Sequence, residues 1–287
     1  MPPRTIVGNL EDQPRVIAPR VQSRFPRLPP IRAGLAAKPS EHGEHYVYSE
    51  EGLLRALAEV SNRFRFDAAG TPSALGGSIV IAAPFTVKAT VVIPPRCTGL
   101  TIRGLPGATL LPNAADQGVL FNLQAQLVTI RDLFAFYKAE GGTPTAWFNV
   151  FVEASLGAPV DGVIIGPSMC RIRDCVVLAD KLYVDTTTDD AAETIVADNW
   201  CNEANATHEA AIHFNSGRMI ARGNVVQDGG SNSVTVGSDG ESCKIVENEL
   251  GYGGVDTASS LGSNVVWGNT RTGALTLHGT DASGGNT

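Results

Sequence analysis

The chain of 287 residues is long enough for one large β domain or two ordinary domains, and so for a substantial core. Gly is plentiful at 31 and only 18% of residues are charged, which fits a folded chain of many short elements joined by turns. No apolar run reaches the roughly 18 residues that span a bilayer, so no membrane segment is expected. The net charge of −7 is unevenly spread. Residues 1–38 carry Arg4, Arg15, Arg20, Arg24, Arg27, Arg32 and Lys38 against Glu11 and Asp12, a local +5 that leaves −12 for the remainder.

Residues 1–45 form the first unit in the sequence, a basic arm. Seven prolines between Pro2 and Pro30 forbid a helix, and the apolar density is too low for a separate core. The opening "MPPRTIVGNLEDQPR" has no apolar h-region, so no secretory signal is expected. Two readings of the arm compete. One is a solvating tail with non-specific affinity for polyanions. The other is an anchor that orders against another subunit through Ile6, Val16, Ile17, Val21 and Phe25 and its six arginines. No aromatic–basic interleaving accompanies the charge, so nucleic acid is not the expected partner.

Residues 46–287 read as one all-β domain behind a single helix. "SEEGLLRALAEVSNRF" predicts a helix at about 49–63, capped by Ser49, with Glu50 and Glu51 in its first turn and Leu53, Leu54, Leu57 and Val60 as its apolar stripe. From "GGSIVIAAPF" onward the period shortens to two, with dense Ile and Val broken by Pro and Gly. An aromatic insertion follows at about 133–160. It holds Phe134, Phe136, Tyr137, Trp147, Phe148 and Phe151, and stretches the step from "TIRDL" to "RIRDC" to 42 residues. Local packing, a subunit interface and a sugar-stacking platform are all open to it.

The C-terminal half repeats. Asn199, Asn224, Asn248 and Asn269 occupy one slot, with Cys175 in the same slot upstream, at spacings of 24, 25, 24 and 21 residues. Three residues earlier stand Ile172, Val196, Ala221, Ile245 and Val266. A second series, Ile212, Val234, Val255 and Leu275, recurs at 22, 21 and 20. Two features sharing one period of 20–25 residues define a solenoid. The period-2 segments exclude helical repeats, and the L-x-x-L-x-L frame of leucine-rich repeats is absent. Coils of short strands stacked about 4.8 Å apart then make each Asn a rung that bonds to its neighbours.

The capping helix, the "GGSIVIAAPFTVKATVVIPPRCTGLTIRGLPGATLL" stretch and the Asn-laddered coils resemble the right-handed parallel β-helix of the pectate-lyase-like superfamily, and more narrowly phage tailspike and fibre proteins. That resemblance covers about residues 45–287. It implies a right-handed β-helix, but the fold serves lyases, hydrolases and non-catalytic virion parts alike. It further implies a virion protein assembled in the host cytoplasm, held by its arm to capsid or to tail and baseplate proteins of a phage or gene-transfer particle. The implied assembly is a homo-oligomer, a trimer or, at a capsid vertex, a pentamer. A further fibre or spike protein is expected at the C-terminal end, which runs out at "LHGTDASGGNT" with the repeat still in progress.

Catalysis is not expected. The paired Asp motifs, Gly-His-Gly and Arg-Ile-Lys of polygalacturonase-like members are missing, and "RIR" at 171–173 reads as strand residues facing out, in and out. The acidic run Asp185, Asp189, Asp190 and Glu193 resembles a polar loop more than a calcium cage. "HEAAIH" sets His208 and His213 five apart, on opposite faces of a strand and about 140° apart on a helix, so it fails as a zinc helix. Acid pairs such as Asp174 with Asp198 are available to a glycosidase, and a tailspike that binds or cleaves host polysaccharide is the alternative function. No cofactor or metal is expected. The five cysteines (97, 170, 175, 201 and 243) lack zinc-module spacing and read as buried thiols.

Overall fold

The structure is a computed structural model that describes residues 43–63, 76–112, 121–135, 148–152, 169–177, 182–186, 193–201, 210–227, 232–251 and 253–287. The chain divides into two units, Met1–Leu35 and Ala36–Thr287, and every described residue belongs to the second. The anchoring arginines Arg4 to Arg32 therefore lie outside the described residues.

Short β-branched segments separated by turns can bury their faces only by stacking on copies of themselves, and the described residues of this chain do so with parallel pairing throughout. Among the described residues the first sheet has ten strands. It runs from Glu44–Val47 through Gly77–Ile81, Leu100–Gly104, Thr129–Arg131, Arg171–Arg173, Ile195–Ala197, Ile220–Arg222, Lys244–Val246 and Val265–Trp267 to Ala282–Gly284. Two eight-stranded sheets complete the coils. The second starts at Phe85–Val87 and ends at Thr270–Arg271; the third starts at Val91–Ile93 and ends at Leu275–Thr276. Each strand pairs with the strand one coil away, which makes a parallel β-helix with one interior.

Register lines up the apolar positions. In the first sheet the inner column runs His45, Ile79, Ile102, Ile130, Ile172, Val196, Ala221, Ile245 and Val266, all buried. The weak-looking Ala221 faces in, while its neighbour Ile220 is only partly buried. Ile212, Val234, Val255 and Leu275 form the matching column of the third sheet. The long step between Thr129–Arg131 and Arg171–Arg173 also holds a coil strand. Phe148–Val152 pairs with Phe121–Leu123 on one side and with Leu182–Thr186 on the other, so part of the aromatic insertion belongs to the third sheet.

Helix α1 (Glu50–Arg63) covers the N-terminal end of the stack, packing on Glu44–Val47, Gly77–Ile81, Phe85–Val87 and the 3₁₀ turn Pro95–Cys97. Ser49 Oγ accepts from Gly52 N at 3.1 Å and closes its first turn. Glu50 Oε1 accepts from Lys88 N at 2.6 Å and ties the helix to the turn after Phe85–Val87. The buried stripe is Leu53, Ala56, Leu57 and Val60. Leu54, expected in that stripe, is 49% exposed, because the 3–4 spacing that places Leu53 and Leu57 inward selects Ala56 beside them.

Candidate functional surface

Each central coil turns sharply at both ends of its first-sheet strand. Leu127, Met169, Glu193, Arg218, Ser242 and Ser263 enter the strands with φ between 52° and 64°. Five residues later Asp132, Asp174, Asp198, Gly223, Glu247 and Gly268 leave with φ between 54° and 67°. A left-handed residue costs a non-glycine side chain about 1–2 kcal/mol. The repeated turn is tolerated because the residue after each corner is buried in the stack, and in the later coils most of these residues are hydrogen-bonded there.

The exit corner holds the amides. Asn199, Asn224, Asn248 and Asn269 are all buried, and Asn286 continues the column in a partly buried position. Asn224 is typical. Its Oδ1 accepts from Asn199 N at 3.2 Å and from Asn199 Nδ2 at 2.9 Å, while its Nδ2 donates to Val196 O at 3.0 Å and to Asn248 Oδ1 at 2.9 Å. Asn248 and Asn269 repeat this pattern, and at the head of the column Asn199 Oδ1 accepts from Cys175 N. All four bonding positions of each central amide are filled, leaving none to bind a ligand.

Asn286 escaped the sequence alignment because only 17 residues separate it from Asn269. A second ladder at the entry corner also escaped it. Cys243 N donates to Asn264 Oδ1 at 2.9 Å, and Asn264 N and Nδ2 donate to Asp281 Oδ1 at 2.9 and 3.0 Å. Upstream this slot holds Cys170, Thr194 and Met219, so no single residue type marks it.

The outer face of the first sheet carries charge. One outward column runs Arg103, Arg131, Arg173, Ala197, Arg222, Val246, Trp267 and Gly284. The neighbouring column includes Arg171 and Lys244, both exposed. Carboxylates at two corners and on the strand Glu44–Val47 face three of these arginines. Arg173 Nε lies 2.7 Å from Asp174 Oδ2, Arg131 Nε lies 3.6 Å from Asp132 Oδ2, and Arg103 Nη2 lies 3.0 Å from Glu44 Oε1. Toward the C-terminal end the column turns apolar at Trp267, 55% exposed, whose ring lies so close over Gly284 that a Cβ there would collide with it. This exposed aromatic was legible in "VVW", which alternates out, in and out as "RIR" does, but the sequence reading missed it.

The aromatic candidates are not brought together at that face. Phe148 and Phe151 lie on a third-sheet strand, with Phe151 in register between Asn122 and Asp185, whereas Phe136, Tyr137 and Trp147 lie outside the described residues. Asp189, Asp190 and His208 also lie outside them. Glu193 pairs with Arg218 at 3.3 Å. His213 Nδ1 stands 2.7 Å from Thr235 Oγ1 on the next coil. No group of three or more His, Cys, Asp or Glu side chains able to hold a metal occurs among the described residues. Cys97, Cys170 and Cys175 are buried free thiols that burial pushes up to about 12, and burial pushes Cys243 up to about 11.

Together these features define a β-solenoid of the parallel β-helix class. Compared with protein-family models, curated proteins and solved structures, the chain matches none. No helix among the described residues is long and apolar enough to cross a membrane.

Proposed function

We propose that the protein is a non-enzymatic structural component of a phage or phage-like particle, the base of a fibre or a short spike that contributes to host-surface attachment. The observation that carries this reading is a stiff, self-bonded solenoid joined to a basic, proline-rich segment. The ladder side chains are consumed in holding coils together, and the arm supplies six arginines suited to grooves on capsid or tail proteins. The protein is read as a homo-oligomer of the virion, with a further fibre or spike protein meeting its C-terminal coils.

Deletion of residues 1–38 tests the anchor. The truncated protein is expected to fold, with an unchanged β-type circular dichroism spectrum, and to be absent from purified particles. Incorporation at the wild-type level overturns the reading. Trp267, exposed on the same outer face of the first sheet as Arg222 and Lys244, favours a second reading in which that face grips host polysaccharide. Release of reducing or unsaturated sugar ends from host capsule would establish the enzymatic form of that alternative.

A further inference from the structure

His45 occupies a place that an aliphatic side chain fills in every following coil down to Val266. It heads the inner column of the first sheet, in register with Ile79, and is 1% exposed. Helix α1 lies over it. Neither ring nitrogen has a hydrogen-bond partner among the described residues, and Nδ1 is 3.5 Å from Glu59 Oε2 of the helix. A neutral imidazole is tolerated there as a flat, mostly apolar ring. A protonated one is a charge sealed between the helix and the first coils, with one partly exposed carboxylate for company.

We propose that α1 is an acid-released cap: protonation of His45 detaches the helix from the N-terminal coil while the remaining coils stay stacked. The helix is suited to such local opening because, among the described residues, it is held from one side, by Leu53, Ala56, Leu57 and Val60 and by the bonds of Glu50 to the turn below. The charged groups that face the ring come from α1, namely Glu59 and Arg63. The strand Gly77–Ile81 contributes none, and Glu44 lies on the outer face paired with Arg103.

Burial pushes the imidazole below its ordinary range, Glu59 opposes that shift, and Arg63 adds to it. The open state, with an ordinary value near 6.5, therefore takes up the proton more readily than the closed one. The cap holds fully above about pH 6.5 and weakens as pH falls below it. The inference concerns the solenoid alone and does not depend on the particle reading.

Hydrogen exchange on the full chain tests it, with protection factors corrected for intrinsic rates. Between pH 7.5 and 5.0 the amides of α1 are expected to lose about tenfold in protection while those of residues 220–267 hold theirs. His45→Leu, which matches the rest of the column, is expected to abolish the loss. Glu59→Gln, a change on the partly exposed side of the helix, is expected to steepen it. Constant protection of α1 in the wild type overturns the proposal, as does an equal loss in His45→Leu. Should that variant fail to fold, a Glu59→Gln profile no steeper than wild type overturns it as well.

Discussion

At the scale of single residues, the buried amides matter because each one satisfies its neighbours. Replacing Asn224 by Ala removes four hydrogen bonds and takes from Asn199 N its side-chain acceptor in the interior, while Asn199 Nδ2 keeps its bond to Ile172 O. A buried orphan costs about 1–3 kcal/mol, and relaxation recovers part of the sum, so the expected loss is about 3 kcal/mol in a denaturant titration. Asn286→Ala, at a partly buried end of the ladder, is expected to cost about 1 kcal/mol. Equal losses at the two positions would argue against a ladder whose worth lies in its interior.

The thiols are a second matter of single residues. With values of about 11 to 12, Cys97, Cys170, Cys175 and Cys243 hold at most about one thiolate in a thousand at pH 8. In the native protein at that pH an aromatic disulfide is expected to leave all four unlabelled in peptide mapping, and to label them once denaturant is added. These raised values favour the folded state below the ordinary thiol value of about 9, and that contribution is lost as pH rises through the folded values. Stability should therefore decline in alkali, read as a falling denaturation midpoint above about pH 9.

At the scale of elements, helix α1 closes an end that parallel pairing cannot close. Among the described residues the strand Glu44–Val47 has a partner on one side only, and an open edge of this kind invites pairing with foreign strands. Leu57 is buried in the cap against the first coils, and Leu57→Ala is expected to cost about 3 kcal/mol of helix docking. Exchange of the α1 amides reports that loss, with little change expected at Val265–Trp267. The helix was legible from Ser49, the acidic first turn and the apolar spacing. Its rotation was not, because Leu53, Leu54 and Leu57 have equal hydrophobicity and only the packed coils decide which two face inward. The aromatic insertion shows the same limit. The 42-residue step hid the strand Phe148–Val152, whose pairing with Phe121–Leu123 and Leu182–Thr186 is visible only once the coils are stacked.

At the scale of the whole molecule, one interior is shared by three parallel sheets, and each coil contacts chiefly the coils above and below. Stability of this kind is a sum of neighbour terms, so a lesion in one coil loosens its surroundings before it unfolds the stack. The repeat, the solenoid, the inward faces and four rungs of the amide ladder were readable from the chain alone. A period of 20–25 residues and a side-chain period of two are local properties, and they survive without coordinates. What surrounds those rungs was decided by tertiary structure. The second ladder through Asn264 and Asp281, the Trp267 ring over Gly284, the salt bridges along the outer face and the seat of His45 under α1 join residues through register and corner geometry. No spacing rule foretells them, because whether two distant side chains meet depends on how the intervening turns are folded.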